Sequence, residues 1–264
     1  MFDVLVQIYE AYGYSSRDAA ASIVQNNIFG LDIDDRAAQL AYFAVMMKAC
    51  QYDKRFLNRG IQPNVYAICE SNNINRDAVD YFCDGNSTLK ADIDTLLKEL
   101  TDAKEYGSIL NVSVVDFDAI EKRIAEVEND MHLYSFTVMN ELVPLIKVAK
   151  NLAQKYEVVV TNPPYMGASG MSAKLLEFVK RNYPDTKSDM STVCMEKTLS
   201  MCSQIGYMAM TNIPVWMFLP KLFPDFWENP ISPEFTLAMI PGIRNLLLQT
   251  RAYFCNSPHY CVLI

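Results

Sequence analysis

Short apolar runs alternate along the chain with stretches in which apolar residues recur every three or four positions. The runs at 28–33, 64–69, 156–161 and 205–212 have the length of β-strands. Helical spacing predicts helices near 2–13, 16–26, 35–50, 133–154, 172–182 and 189–203. Because strands alternate with helices, the pattern predicts an α/β fold whose sheet is covered by helices on both faces.

Two of the helices have apolar stripes that predict which side faces the core. On the helix at 35–50 the stripe consists of Ala37, Leu40, Ala41, Ala44, Val45 and Lys48. On the helix at 133–154 it consists of Leu142, Ile146, Ala149 and Ala153. We expect both stripes to pack inward. Ser15 or Ser16 is positioned to cap the second helix.

The acidic residues are concentrated in one part of the chain. Residues 71–130 contain 14 Asp and Glu against 6 Lys and Arg, a net charge of −8 that equals the net charge of all 264 residues. We interpret positions 72–130 as an insertion of acidic helices after the strand at 64–69. Since there is no internal repeat or low-complexity linker, residues 1–219 are expected to form one domain, followed by a tail at 220–264.

Composition excludes several classes of protein. No apolar run is long enough to span a membrane and no signal peptide is recognisable, so we expect a cytoplasmic protein. The seven cysteines are odd in number and form no Cys-x-x-Cys pair, which is typical of a reducing compartment. His132 and His259 are isolated from one another. We therefore expect no metal site.

The most specific feature is the sequence Val-Val-Val-Thr-Asn-Pro-Pro-Tyr at 158–165. An ordinary proline turn after a strand is the simpler interpretation. Methyl transfer to an amino group explains more, because an exocyclic or amide nitrogen with a delocalised lone pair must be held by well-placed acceptors before it can attack. The side-chain oxygen of Asn162 and the main-chain carbonyl of Pro163 are the two candidates.

The neighbouring residues suit the same chemistry. Pro163 and Pro164 fix φ and lack N–H donors, so the turn is rigid before a substrate arrives. Tyr165 offers a flat face on which an extruded base can stack. The sequence therefore predicts a catalytic turn made of Asn162, Pro163, Pro164 and Tyr165.

At this turn the chain resembles the adenine-N6 DNA methyltransferases with the Asn-Pro-Pro-Tyr motif, and among them the large modification methylases of restriction and BREX-type phage defence. Residues 26–34, with a strand that ends in acid, resemble the family's second motif. Residues 65–71 resemble its third strand, and 183–190, 206–212 and 216–219 resemble the elements after the catalytic turn. The resemblance covers most of residues 1–219.

The resemblance implies a Rossmann-like sheet that binds S-adenosyl-L-methionine as the cofactor. Asp32 would accept the ribose hydroxyls, and Ile33, Glu70, Ser71 and Asn162 would complete the cofactor site. Asp34 and Asp35 are placed to cap the following helix instead. The implied partners are double-stranded DNA with a flipped adenine and other subunits of a defence system.

In two places the chain departs from the family. The family has a glycine-rich loop after its first strand, whereas none of the nine glycines here forms a Gly-x-Gly. We interpret Met1 as an internal start or a cut, because the helix at 2–13 would normally follow that loop. The tail at 220–264 cannot be aligned with the family's last strands.

The missing loop leads to two predictions. The family's first strand lies between its second and fourth, so the strands at 28–33 and 156–161 would either pair directly or receive another segment, such as the tail, between them. Without the loop we expect the isolated chain to bind S-adenosylmethionine very weakly and not to methylate DNA.

The charge pattern gives no basic face for DNA. Five cations follow the turn, at Lys174, Lys180, Arg181, Lys187 and Lys197. Acidic residues alternate with them, so we interpret them as a solvated helix face of mixed charge. Two alternatives stay open: a methyltransferase that acts on RNA or on a protein glutamine, and a methyltransferase fold that serves as a non-catalytic binding or scaffold module.

Overall fold

The computed structural model describes residues 1–212 together with three short strands at 237–239, 246–248 and 260–263. In this part of the chain the α-helices are α1 Phe2–Ala11, α2 Ser16–Ser22, α3 Asp35–Tyr52, α4 Arg76–Cys83, α5 Ser87–Glu99, α6 Ala103–Tyr106, α7 Phe117–Glu128, α8 Leu133–Thr137, α9 Val143–Ala153, α10 Ala173–Asn182 and α11 Met190–Met201. The strands are β1 Ile28–Asp32, β2 Asn64–Ala67, β3 Tyr156–Thr161, β4 Cys202–Met210, β5 Leu237–Met239, β6 Leu246–Leu248 and β7 Tyr260–Leu263.

The strands form one sheet in the order β2-β1-β7-β3-β4-β6-β5. The first five strands in this order are parallel to one another, and β6 is antiparallel to both β4 and β5. The fold is therefore mixed α/β with a largely parallel sheet, as the alternating pattern predicts.

A strand from the tail lies between β1 and β3. Tyr260 pairs with Ile28 on one side and with Val158 on the other. Of the two predicted outcomes for the gap, the structure shows the insertion of another segment. The inner edges of β1 and β3 are thereby hydrogen-bonded rather than exposed. The rest of the tail and residues 216–219 lie outside the described residues.

Helices cover β1 on both faces. Phe29 and Leu31 point into a core that also contains the inner sides of α9 and of the helical insertion. Ile28 points the opposite way, into a second core formed with α1 and α2. Consecutive residues of a strand alternate between faces, so burial of both sets makes β1 an interior strand.

The predicted inner face of α3 is correct only in part. Val45 packs against the core as predicted, but Leu40 is 69% exposed, and the buried residues of the helix are Ala38 and Ala49. The helix has two apolar stripes, and the one that packs inward contains the buried alanines. Their small side chains let the helix lie close to the sheet, which the bulkier Leu40 stripe would prevent.

The helix predicted at 133–154 is interrupted. α8 ends at Thr137, a π-helical turn spans Val138–Leu142, and α9 begins at Val143. Pro144 explains the break, because it has no N–H to donate and its ring crowds the carbonyl four residues earlier. The predicted core stripe is otherwise confirmed, since Leu142, Ile146 and Ala149 are buried.

Several boundaries also differ from the prediction. The helix at 16–26 changes into a π-helical turn at Ile23–Asn27, after a start capped by the Ser15 side chain, which accepts from the Asp18 N–H. α11 ends at Met201 because Cys202 is extended and pairs with Tyr156 at the start of the β3–β4 ladder. Boundaries of this kind depend on pairing that a local pattern does not encode.

The segment at 72–130 is helical, as predicted. Its helices α4, α5 and α7 bury one face each in the same core as α9. Asn75, Asn86 and Asp116 cap these helices at their N-termini. Their charged residues are therefore on the outside. Among the described residues no helix has the length and apolarity needed to cross a membrane.

Candidate functional site

The carboxyl ends of the parallel strands bring several polar residues to one edge of the sheet. Asp32 ends β1, Asn162 directly follows β3, and Asn212 lies just past β4. Residues 68–71 follow β2 at the same edge. In open α/β sheets ligands bind at this edge, so it is the candidate site.

Residues 162–165, the β3 turn, are fixed at both ends. Before the turn, β3 pairs with β4 and the Thr161 carbonyl accepts from the Thr211 N–H at 3.3 Å. After it, the Met166 carbonyl accepts from the Met190 N–H at 2.9 Å, at the start of α11. The turn is thus held between the sheet and the first turn of a buried helix.

The residues of the β3 turn differ in their exposure to solvent. Pro163 is buried, whereas Asn162 and Tyr165 are exposed. The Tyr165 hydroxyl donates to Asn162 Oδ1 at 3.4 Å, which orients the amide oxygen. No donor in the described part of the chain contacts the Pro163 carbonyl. The exposed amide oxygen of Asn162 therefore lies beside an exposed aromatic ring, and the neighbouring Pro163 carbonyl is a second acceptor without a donor among the described residues.

This arrangement can hold an amino group. A planar amine has two hydrogens, and two fixed acceptors can take one each while the ring of Tyr165 supports the plane of a base. Because both proline peptides are trans and φ is fixed by their rings, the acceptors require little rearrangement on binding.

Residues 32–34, the β1 turn, are held by a side chain instead. Asp32 Oδ1 accepts from the Asp34 N–H at 2.8 Å, and Asp34 in turn caps α3 by accepting from the Arg36 N–H at 2.7 Å. The second oxygen of Asp32 has no hydrogen-bond donor or cation among the residues that the structure describes. This oxygen is available to accept hydroxyls.

The two acids after Asp32 have structural roles. Asp34 is the helix cap that the sequence predicts, and Asp35 forms a surface ion pair with Lys104 at 3.0 Å. The hydrogen bond that Lys104 donates to Asp35 is the main cause of the raised pKa of Lys104. Asp34 and Asp35 therefore each have a structural contact at the start of α3, whereas Asp32 shapes the β1 turn with one carboxylate oxygen.

Ile33, the middle residue of the β1 turn, lies against the insertion. It is 48% exposed, and a Cβ at Gly107 would come within 3.2 Å of its Cδ1 atom. Gly107 also has a φ of +64°, which other residues rarely adopt. A glycine at 107 therefore lets the insertion approach the β1 turn closely, and the remaining surface of Ile33 faces outward.

The two candidate residues after β2 differ in their exposure to solvent. Glu70 is exposed and could face a ligand at this edge. Ser71 is buried, its hydroxyl donates to the Leu97 carbonyl, and its N–H donates to the Leu100 carbonyl at 3.1 Å. The polar groups of Ser71 therefore fasten the insertion to β2, and a contact of Ser71 with the cofactor stays a prediction.

The two turns are separated by one strand. Since β7 lies between β1 and β3, Asp32 and Asn162 are about 10 Å apart across the edge, at roughly 5 Å per strand. Asp32 and Ile33 suit the hydroxyls and the flat base of an adenosine.

Asn212 also lies near this edge, although the sequence analysis did not select it as a candidate. It is buried, 5% exposed, and lies two residues past the end of β4, whereas Asn162 lies one residue past the end of β3. The signal was present, because polar residues just past the strands of a parallel sheet lie at the ligand-binding edge.

The cations after the β3 turn do not form one solvated face. Lys174 pairs with Asp102 at 3.1 Å, in agreement with a mixed surface. Lys197 contradicts this interpretation, because it is 4% exposed and donates to Asn111 Oδ1 at 3.1 Å. Burial lowers the pKa of Lys197 to about 8. The helix α11 is buried on nearly every side, which the charge pattern did not reveal.

Comparisons with known proteins show which family the chain is similar to. Residues 26–226 match the family described as the Eco57I restriction-modification methylase. The chain is 38% identical over 242 residues to the adenine-specific methyltransferase BrxX of Escherichia coli O9:H4 (strain HS), covering 83% of this chain and 20% of that protein. It is also 38% identical over 224 residues to the adenine-specific methyltransferase PglX of Lacticaseibacillus casei (strain Zhang), covering 83% of this chain and 19% of that protein. The chain thus spans about a fifth of the length of these relatives.

Proposed function

The chain belongs to the Eco57I restriction-modification methylase family, and on this premise we propose that it carries the amine-binding part of a DNA adenine-N6 methyltransferase. The observation that carries the proposal is the rigid β3 turn, which presents Asn162 Oδ1 and the Pro163 carbonyl next to Tyr165. The names of the two relatives, both adenine-specific methyltransferases, support the choice of adenine.

In the proposed reaction the β3 turn acts on an adenine that has left the duplex. Tyr165 stacks on the base, and Asn162 Oδ1 and the Pro163 carbonyl each accept one hydrogen of the 6-amino group. These bonds strengthen as the nitrogen becomes tetrahedral and its lone pair becomes available. S-adenosylmethionine, when bound, supplies the electrophilic methyl group.

The β1 turn is proposed to hold the adenosine end of the cofactor. The available Asp32 oxygen accepts ribose hydroxyls, Ile33 contacts the base, and Glu70 is a second candidate acceptor. Ser71 is kept as a residue near the cofactor that fixes the end of β2. We propose a Rossmann-like methyltransferase domain of residues 1–219, in whose sheet β7, from the tail at 220–264, lies where the family's first strand belongs.

The proposed substrate is double-stranded DNA, as part of host modification in restriction or phage defence with other defence subunits. Methylation of RNA or of a protein glutamine would use the same two acceptors. A non-catalytic module with this fold is also compatible with the absence of a Gly-x-Gly loop. The acceptor that receives the methyl group separates these possibilities.

The test is a chimera in which this chain replaces the matched segment of the E. coli relative. With labelled S-adenosylmethionine and a host mixture of DNA, RNA and protein, we expect label in N6-methyladenine of DNA, identified by mass spectrometry. The parent relative is the positive control. Label found only in RNA or only in glutamine would show that this molecule, and not DNA, is the methyl acceptor. A folded chimera that binds the cofactor but transfers no label would indicate a non-catalytic module.

A further inference from the structure

Three large apolar side chains are exposed where the acidic insertion ends and α8 begins. Leu133 and Phe136 are 82% and 78% exposed, and Met131 is fully exposed. Leu133 and Phe136 lie one turn apart on the same side of α8. These three residues form the α8 patch. Exposed apolar residues are common singly, but a group of them marks an interaction surface.

The α8 patch stands on a fixed aromatic support. The Tyr81 ring of α4 stacks on the His132 ring at a centroid distance of 4.2 Å, and the Tyr134 ring lies within 6.2 Å of both. The Tyr81 hydroxyl donates to Asp130 and lies 3.1 Å from the Ser135 hydroxyl. His132 Nδ1 accepts from the Tyr134 N–H at 3.2 Å. Because the backbone of the patch is held in this way, little ordering is needed when a partner binds.

The elements that carry the α8 patch are acidic. Residues 121–141 contain five Asp and Glu against two Lys and Arg, and α4 with its C-cap Asp84 contains three Asp against one Arg. Together these are eight acids against three bases, a net charge of −5. The base nearest to the support, Arg123, lies over the Tyr81 ring and pairs with Glu126 at 2.9 Å.

Several of these acids are open to a partner. Glu128 is exposed and has neither a cation nor a hydrogen-bond donor among the described residues. The carboxylate of Asp77 is in the same state, one turn before Tyr81 on α4. Glu141, after the patch, accepts only from the Asn75 N–H at 3.3 Å. Acidic side chains therefore lie before and after the patch and on the helix that supports it.

An open cleft continues the acidic surface. It has a volume of about 430 Å³, lies between α5 and α7, and is lined by Arg123, the residue that contacts Tyr81. Its charged lining residues have a net charge of −2; they are Asp84, Asp92, Asp116, Lys122, Arg123 and Glu126. The cleft therefore adds room for a cationic side chain beside the apolar residues.

We propose that the α8 patch and the acidic surface around it bind a basic amphipathic segment of a partner protein. The apolar side of the segment covers the patch, and its Lys or Arg side chains face Glu128, Asp77 and the cleft. Charge complementarity selects this occupant. DNA is anionic and is repelled by a net charge of −5, and a second copy that used the same surface would bring like charges together. The inference goes beyond methyl transfer and does not depend on it.

The test is a fluorescence anisotropy titration of the 264-residue chain with a labelled helical peptide of Leu and Lys at about 50 mM salt. We expect saturable binding, and no binding of the same peptide with Glu in place of each Lys. Leu133→Ser combined with Phe136→Ser should weaken binding at least about tenfold. Glu128→Gln combined with Asp77→Asn should weaken it about fivefold and leave the apolar residues in place.

Each double variant has a matched control elsewhere on the surface. Leu40→Ser combined with Phe43→Ser removes two apolar side chains of α3 that are 69% and 59% exposed. Glu177→Gln removes an exposed acid of α10. Both controls should change the affinity for the peptide less than about twofold. Circular dichroism should show that every variant is folded, because all the altered side chains are exposed.

Three results would overturn the proposal. The first is equal binding of the Lys and Glu peptides, or equal losses for the α8 and α3 variants. The second is binding of a labelled DNA duplex that Leu133→Ser with Phe136→Ser abolishes, which would assign the surface to DNA. The third is a dimer in sedimentation velocity that the same changes dissociate, which would assign the surface to a second copy.

Discussion

The two polar turns at the carboxyl edge of the sheet follow similar strands but are fixed in different ways. The β3 turn is fixed by its backbone, through Pro163, Pro164 and the hydrogen bond between Met166 and Met190. The β1 turn is fixed by the side chain of Asp32, which accepts from the Asp34 N–H. In the first turn the functional acceptors are held independently of any one side chain, and in the second a single carboxylate both shapes the turn and faces the ligand.

Mutations in the two turns should therefore have different consequences. A side-chain change in the β3 turn should leave its shape intact and alter the chemistry, whereas a change at Asp32 should alter both the turn and the affinity for a cofactor. The following variants test the distinction in the chimera with the E. coli relative.

The largest effect is expected for Asn162→Ala. Its acceptor contributes most when the nitrogen becomes tetrahedral, so the single-turnover rate of methylation should fall by about 10²–10³ while the Kd for DNA changes little. Asn129→Ala is the control, since Asn129 is exposed and donates only to Ala125 in its own helix. An unchanged rate for Asn162→Ala would remove this residue from the mechanism.

The second-largest effect is expected for Asp32→Ala, on the Kd for S-adenosylmethionine measured by calorimetric titration. Loss of a charged acceptor for ribose hydroxyls should cost about 2 kcal/mol, or roughly 30-fold in Kd. Asp35→Ala is the control, because it removes an equal charge from a surface ion pair with Lys104. Equal losses for the two variants would show that Asp32 is not the specific contact.

Tyr165→Ala should act on capture of the base rather than on the chemical step. Stacking contributes about 1–3 kcal/mol per base, so binding of a duplex with 2-aminopurine at the target position should weaken about tenfold, as followed by fluorescence. Tyr165→Phe keeps the ring and loses only the hydrogen bond to Asn162, and it should bind nearly normally. If the phenylalanine variant binds as weakly as the alanine variant, the hydroxyl and not the ring is essential.

The smallest effect is expected for Asp34→Ala. Loss of the cap on α3 should lower the free energy of unfolding by about 1 kcal/mol, measured from urea denaturation. Asp35→Ala should change it less, because Asp35 lies one position inside the helix. A larger loss for Asp35→Ala would contradict the assignment of the cap.

Features encoded by local sequence were predictable. The β3 turn, the acidic strand end at Asp32 and the cap at Asp34 each depend on a few adjacent residues, and the structure has the turns and the cap where the pattern predicts them. The roles of Asn162, Pro163 and Asp32 in binding stay predictions.

Features that depend on distant contacts were not predictable in the same way. The inward face of α3 was predicted only in part, with Val45 correct and Leu40 wrong, because two apolar stripes compete and only packing against the sheet selects between them. Lys197 donates to Asn111, which lies 86 positions earlier, and no local pattern links residues so far apart. Lys197 itself looked like a surface residue because burial of α11 depends on the helices that surround it.

The central claim is that β7 separates the β1 turn from the β3 turn. Its most direct test is calorimetric titration of S-adenosylmethionine into the 264-residue chain alone. With β7 between the two turns and no Gly-x-Gly loop to hold the middle of the cofactor, we expect a Kd weaker than about 1 mM, corresponding to roughly −4 kcal/mol. Tight, saturable binding that Asp32→Ala abolishes would contradict this account, because another loop of the chain would then have to join the two halves.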